Sequence, residues 1–99
     1  MKHTQARLAH EIRDRIATIL RTQVGDPRLA EVTLNEVRVA PDGSYARIFW
    51  GTLGAPAAAA EALEKAKPYL RRCLAAELHI RRVPELDFRL DDTLARAQR

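Results

Sequence analysis

The basic residues of this 99-residue chain are concentrated in one segment. Between Lys65 and Arg82, six basic side chains stand against a single acid, Glu77, so the segment carries a net charge of +5. The whole chain carries +4, which leaves −1 for the other 81 residues. Arginine and lysine bind phosphates through charge and through release of counterions, so this segment is typical of a surface that binds a polyanion. We predict RNA contacts at Lys65, Lys67, Arg71, Arg72, Arg81 and Arg82.

A structural interpretation of the same segment is also open. Basic residues are common on solvated helix faces, and Arg81 and Arg82 fall where a helix is expected to end, a position at which cations stabilise the helix dipole. Tyr69 is the one aromatic residue of the segment, so the sequence gives little support for base stacking. If the segment binds RNA, we expect it to recognise backbone and shape.

Catalytic chemistry has less support. The three histidines, His3, His10 and His79, are scattered, and none has a nearby Ser or Cys of the kind that acts as a nucleophile. Cys73 is the single cysteine, and its surroundings lack the spacing of a zinc site. Asn35 with an arginine would suit a small α/β acyl-phosphate hydrolase, which stays a lesser alternative. We predict no enzymatic activity, no cofactor, no metal and no small-molecule substrate.

The apolar pattern predicts a helix followed by a β-hairpin. From Thr4 to about Val24 apolar residues recur every three or four positions, and Gly25 suits the carboxyl end of such a helix. Residues 32–39 and 44–53 have the composition of strands, and a Pro-Asp-Gly turn between them favours a hairpin. The apolar phase of the first strand changes at Asn35-Glu36, which indicates a β-bulge.

The basic segment is predicted to form two helices that meet at a kink. Residues 57–66 have high helix propensity, and leucines continue the helical spacing beyond them. Pro68 lacks an N–H and clashes with the carbonyl four residues earlier, at a cost of about 3 kcal/mol, and it disfavours the helical conformation of the residue before it. We therefore predict a kink at Ala66, Lys67 and Pro68, where freed N–H groups would suit an anion. A strand over residues 85–90 follows.

Several motifs occur in order along the chain. They include Glu11-Ile12, Ile19-Leu20, Asp26-Pro27-Arg28-Leu29, Val39-Ala40-Pro41-Asp42, Ser44-Tyr45-Ala46, Leu70-Arg71-Arg72, Pro84-Glu85-Leu86 and Asp91-Asp92-Thr93. Together with the order of the elements, this set resembles the ribosome-binding factor A family, bacterial maturation factors of the small ribosomal subunit. The resemblance covers nearly the whole chain. Pro68 departs from it, because the family has a kink of the Ala-x-Gly kind where this chain has Ala66-Lys67-Pro68.

The resemblance implies a type II KH-like α+β fold with the order α-β-β-α-kink-α-β, in which three helices lie on one face of a three-stranded sheet. One domain would occupy residues 1–93, and we expect residues 94–99 to form a frayed tail. The resemblance further implies a non-catalytic factor that binds 16S rRNA of the immature 30S subunit and assists its late processing and maturation.

The remaining expectations concern partners and location. The charged start of the chain lacks the apolar region of a signal peptide, and no stretch approaches the roughly 18 apolar residues of a membrane span. We expect a cytoplasmic, monomeric protein with no membrane contact. The leading alternative to RNA binding is a protein-interaction module that binds an acidic partner through the basic helix or the exposed sheet face.

Overall fold

Two α-helices and a three-stranded mixed sheet make up the fold, as a computed structural model shows for residues 4–91. The helices are α1 (Thr4–Ile19) and α2 (Pro56–Leu78), and the strands are β1 (Val32–Val39), β2 (Tyr45–Thr52) and β3 (Glu85–Leu90). The α+β class and all three predicted strands are thus confirmed. The predicted tail at residues 94–99 lies outside the described residues, as do the two ends of the predicted domain, at residues 1–3 and 92–93.

The first helical segment changes its winding before it ends. After Ile19 the chain forms a π-helical turn over Leu20–Val24, which Gly25 closes with a φ of 69°. This left-handed conformation costs a residue with a Cβ roughly 1–2 kcal/mol, which accounts for the glycine. The Asp26 side chain then accepts a hydrogen bond of 2.9 Å from the Arg28 N–H and caps a short 3₁₀ turn. The chain is thereby redirected into β1.

The sheet has the order β1-β2-β3, with β1 and β2 antiparallel and β2 and β3 parallel. Leu34 pairs with Trp50 and Glu36 pairs with Phe49, so the register shifts at Asn35. This confirms the predicted bulge. The extra residue places the valines after it on the same face as the apolar residues before it, so β1 keeps one apolar face despite the change of phase.

Both helices pack against one face of the sheet. On β2, Ala46, Ile48 and Trp50 are buried, and the residues between them face the other side. They join the buried side chains of both helices and of β3 in one hydrophobic cluster, which includes Ile12, Ile16, Ile19, Ala59, Ala62, Leu63, Leu70, Leu74 and Leu86. The opposite face of the sheet is left uncovered by the described helices. The fold is therefore two-layered.

Helix α2 continues through the predicted kink. The prediction of two helices that meet at Ala66, Lys67 and Pro68, and so of three helices in all, is not confirmed, because Pro68 lies inside one helix of 23 residues. Pro68 is exposed, as is Glu64, whose carbonyl loses its usual N–H partner, so solvent can satisfy that carbonyl. Leucines on either side of the proline are fully buried and hold the helical path. The predicted kink rested on the backbone effects of Pro68 alone and did not consider the burial of these leucines.

No helix within residues 4–91 is both long enough and apolar enough to cross a membrane.

Candidate nucleic-acid interface

Four of the six predicted RNA-binding residues lie on α2, where Lys65 and Arg72 are exposed and Lys67 and Arg71 are half-buried. At about 100° per residue, Lys65 and Arg72 lie on the side of the helix away from the core, whereas Lys67 and Arg71 lie on one flank. Leu70 is fully buried on the opposite side of the helix and fixes its orientation against the core. The four cations are therefore spread over a wide helix surface.

The two lysines lie beside acids of their own helix. Lys65 Nζ is 3.9 Å from the Glu61 carboxylate, and Lys67 Nζ is 2.9 Å from that of Glu64. These spacings of four and three residues are the ones at which helical side chains meet, so the sequence carries a signal for both pairs. Each lysine brings an adjacent negative charge to the surface, which reduces its attraction for phosphate.

Arg71 makes hydrogen bonds to the segment of chain that follows α2. Its Nη2 donates a hydrogen bond of 2.8 Å to the Val83 carbonyl, and its Nε donates one of 3.3 Å to the Pro84 carbonyl. The same guanidinium lies 3.7 Å from the Glu85 carboxylate. Sequence reasoning assigned Arg71 to RNA and missed these contacts, because nothing in the local sequence indicates that backbone carbonyls twelve and thirteen residues later fold back onto it.

Arg81 and Arg82 lie beyond the end of α2. The helix ends at Leu78, and His79 follows in the left-handed conformation with a φ of 54°. The predicted helix end at these arginines is thus wrong by several residues. Because the two side chains lie beyond the last helical turn, stabilisation of the helix dipole does not explain them. Both are exposed in an irregular segment, residues 79–84, which connects α2 to β3.

Arg72, Arg81 and Arg82 differ from the other predicted residues in having no acidic partner within residues 4–91. All three are exposed, and none makes an ion pair or a side-chain hydrogen bond to a described residue. The guanidinium carbon of Arg72 lies 5.7 Å from the centre of the Tyr69 ring, within the range of a cation–π contact. These three side chains are the part of the predicted site that is free to take an anion.

The β1–β2 turn lies next to the segment that carries Arg81 and Arg82. The Glu85 N–H donates a hydrogen bond of 3.0 Å to the Ser44 carbonyl, which joins the start of β3 to this turn. The pKa of Asp42 is below its ordinary value, chiefly because the Ser44 side chain and N–H donate to it, with a smaller contribution from the positive charge of Arg82. Arg82 therefore has an acid in its field but no direct contact with it.

Two shallow clefts are lined by some of the predicted residues, whereas Lys67, Arg81 and Arg82 line neither. The arginine cleft, of about 480 Å³, is lined by Pro68, Arg71, Arg72, Ala75 and Val83. A second cleft, of about 380 Å³, lies between α2 and the π-helical turn and is lined by Gln23, Val24, Asp26, Ala62, Lys65, Ala66 and Tyr69. Pro68, Arg71 and Arg72 thus line one cleft, whereas Lys65 and Ala66 line the other.

The open face of the sheet holds three further arginines, and each is paired with an acid. Arg38 Nε is 2.8 Å from the Glu36 carboxylate, and Arg47 and Arg89 each lie 3.0 Å from that of Asp87. The hydrogen bond from Arg89, followed by the one from Arg47, lowers the pKa of Asp87. Positive charge on this face is therefore neutralised locally, in contrast to the arginine cleft.

Two aromatic rings on the same face are covered by arginine. The guanidinium of Arg38 lies 5.3 Å from the centre of the Phe49 ring, and that of Arg47 lies 4.9 Å from the centre of the Tyr45 ring. Base stacking needs an accessible ring face. The sheet face is thus less suited than the arginine cleft to bind a nucleic acid.

The comparison with known proteins decides the family. Residues 4–99 match the family model described as Ribosome-binding factor A. The chain belongs to the ribosome-binding factor A family. Ribosome-binding factor A of Thermomicrobium roseum is 41% identical over 99 residues, covering 97% of this chain and 77% of its own length. That of a Marinomonas species is 40% identical over 100 residues, covering 95% of this chain and 78% of its own. The resemblance predicted from the ordered motifs is confirmed.

Solved structures of ribosome-binding factor A share the fold. The crystal structure of the Thermus thermophilus protein superposes with a TM-score of 0.82 at 29% identity, covering 87% of this chain and 93% of that one. A homology model of the Thermus thermophilus protein, fitted into a cryo-EM map of its complex with the 30S subunit, superposes with a TM-score of 0.70 at 28% identity. This second comparison covers 94% of our chain and 97% of that one.

Within residues 4–91, the groups considered for catalysis are dispersed. His10 pairs with Asp14 at 3.2 Å, and Asn35 Nδ2 donates a hydrogen bond of 3.1 Å to Asp91. Cys73 is half-buried on α2. Across residues 4–91, no three His, Cys, Asp or Glu side chains lie together as a metal site would need. The absence of enzymatic activity stays a prediction.

Proposed function

We propose that this chain is a non-catalytic assembly factor that binds 16S rRNA of the immature 30S subunit and assists its late processing and maturation. The observation that carries the proposal is the placement of Arg72, Arg81 and Arg82, which are exposed and form no ion pair with any acid of residues 4–91, on a chain whose remaining charge is near neutral. The Thermus thermophilus relative in a 30S complex supports the same partner. We also propose that the fold is of the KH-like type, and that the chain acts as a cytoplasmic monomer.

The proposed RNA-binding surface comprises the six predicted residues, of which Arg72, Arg81 and Arg82 are free to bind phosphate and the other three lie beside acids: Lys65, Lys67, Arg71, Arg72, Arg81 and Arg82. Recognition of phosphate suits it better than recognition of bases, because the surface is rich in guanidinium groups and offers a single ring, Tyr69, which Arg72 already contacts. Each phosphate neutralised changes the slope of log affinity against log salt concentration by about 0.7–0.9. A surface of this kind should therefore bind rRNA with a steep dependence on salt.

The first test measures binding of the chain to fragments of 16S rRNA over a series of salt concentrations. We expect the double substitution Arg81→Ala and Arg82→Ala to weaken binding and to reduce the slope by roughly 1.4–1.8. Arg38→Ala is the matched control for one lost charge, because Arg38 is paired with Glu36 on the opposite face. An unchanged affinity and slope in the double variant would place the RNA-binding surface elsewhere.

The second test is crosslinking and sequencing of RNA bound in cells. Enrichment at one site of the small-subunit rRNA is the expected result. A diffuse profile over messenger RNA would overturn the ribosomal assignment. Crosslinks to protein alone, with acidic segments as their targets, would favour the protein-interaction alternative, in which the same arginines bind carboxylates.

A further inference from the structure

We propose that Arg71 is a positioning residue. It fastens residues 79–84 to α2 and so holds Arg81 and Arg82 beside Arg72, and these three side chains, rather than Arg71, bind the RNA phosphates. The identity of the ligand rests on the function proposed above, whereas the fastening of the segment does not.

The contacts of Arg71 are those of a side chain that joins α2 to the segment after it. Two of its five N–H donors are used by the carbonyls of Val83 and Pro84, at 2.8 and 3.3 Å. A planar guanidinium can donate to two adjacent carbonyls at once, whereas a lysine ammonium is a compact charge without this fork. Only 38% of the Arg71 side chain is exposed, and the Glu85 carboxylate lies 3.7 Å from it. A phosphate would thus meet a group that already donates to two carbonyls and lies beside a carboxylate.

The segment that Arg71 holds has few other polar ties. Outside helices and strands, the backbone hydrogen bonds of residues 4–91 include none to residues 80–83, and the next one along the chain joins Glu85 to Ser44. His79, at the start of the segment, has a left-handed conformation that a residue with a Cβ adopts at a cost. Val83 packs against the core and Pro84 is buried, so the end of the segment is held by packing. Arg71 supplies the polar connection between this segment and α2.

The contact of Arg71 with residues 83 and 84 brings α2 and the segment after it together to form the arginine cleft. Val83 lines the cleft together with four residues of α2, and the Arg71 side chain joins the two through its hydrogen bond to the Val83 carbonyl. Arg81 and Arg82 immediately precede Val83 in the chain, so fastening the segment at the Val83 carbonyl restricts the positions that both cations can take near the cleft. Holding rotamer-rich cations near one another before binding reduces the ordering cost of association. Loss of Arg71 should therefore weaken RNA binding even though its own charge touches no phosphate.

The fastening is tested without RNA by limited trypsin digestion after Arg81 and Arg82. Arg71→Lys keeps the charge and loses the fork, and we expect about fivefold faster cleavage, with more than tenfold for Arg71→Ala, because each lost hydrogen bond favours the open segment by about fivefold. Cleavage after Arg13, which is half-buried in α1, reports global unfolding and serves as the internal control. Cleavage after Arg81 and Arg82 at the wild-type rate in both variants would overturn the fastening.

The positioning role is tested by RNA affinity in two backgrounds. In the wild-type background we expect Arg71→Lys to weaken binding several-fold. In the Arg81→Ala, Arg82→Ala background it should change affinity less than twofold, because the side chains it positions are gone. If Arg71→Ala instead lowered the salt slope by a further 0.7 or so in that background, Arg71 would be a phosphate ligand and the proposal would be wrong. If the wild-type chain bound no rRNA while Arg71→Lys still opened the segment, the proposed function would fail and the fastening would stand.

Discussion

Replacing Pro68 with alanine measures what the proline costs inside α2. Alanine would restore an N–H that can donate to the Glu64 carbonyl, and it would remove the clash of the proline ring with that carbonyl. In a helix interior, proline makes the folded state about 3 kcal/mol less stable than alanine does. Proline also restricts the unfolded chain, and this effect raises the free energy of unfolding by about 0.4–1 kcal/mol. We expect Pro68→Ala to raise the free energy of unfolding by about 2 kcal/mol, which for a domain of this size raises Tm by roughly 8–16 °C.

The assay is urea unfolding followed by the fluorescence of Trp50, which is 2% exposed in the folded chain. Pro56→Ala is the matched control, because Pro56 occupies the first turn of the same helix, where no N–H is missed. We expect this control to leave stability unchanged or to lower it by up to about 1 kcal/mol. A Pro68→Ala variant no more stable than the wild type would refute the continuous helix and restore the predicted break at residues 66–68.

Three further predictions concern stability. His79→Gly should raise the free energy of unfolding by about 0.5–1 kcal/mol, measured by thermal melting, because glycine adopts the left-handed conformation of this helix end without strain. Leu63→Ala should lower it by about 2–5 kcal/mol in urea, because the leucine side chain is fully buried. Arg89 and Arg47 lower the pKa of Asp87, so its stabilising effect is present above the ordinary pKa of 3.8 and is lost as the pH falls through the lower value. In the Asp87→Asn variant, the free energy of unfolding should therefore fall less steeply with decreasing pH in the acid range. A fall as steep as that of the wild type would contradict stabilisation by the Asp87 carboxylate.

The strands could be predicted from the sequence because their determinants are local. Alternation fixes which side chains of residues 45–52 are buried, and the change of apolar phase at Asn35 is visible without knowledge of the partner strand. The direction of β3 could not be predicted in this way. Its parallel pairing with β2 depends on how α2 crosses the sheet, and alternation looks the same for either direction.

The sequence locates the excess charge of the predicted site but not the partners of all its side chains. The segment from Lys65 to Arg82 carries the excess charge, and its helical pairs with Glu61 and Glu64 follow from spacing. The ties of Arg71 could not be predicted, because they join α2 to carbonyls that approach it only in the folded chain. The predicted helix break was wrong for the same reason, since the burial that keeps α2 helical past its proline depends on contacts with other elements.

The parallel pairing of β3 sets the order in which this chain can complete its fold. Tyr45 pairs with Glu85, forty residues later, and two parallel neighbours cannot be joined by a tight turn, so the whole of α2 must be made and laid down before β3 can dock. The β1–β2 hairpin needs only its short turn and can close within microseconds. On a translating ribosome, residues 85–90 are thus the last of these elements to emerge. The carbonyls that Arg71 holds directly precede them, so the arginine cleft forms only once the sheet is complete, and a partly synthesised chain lacks it.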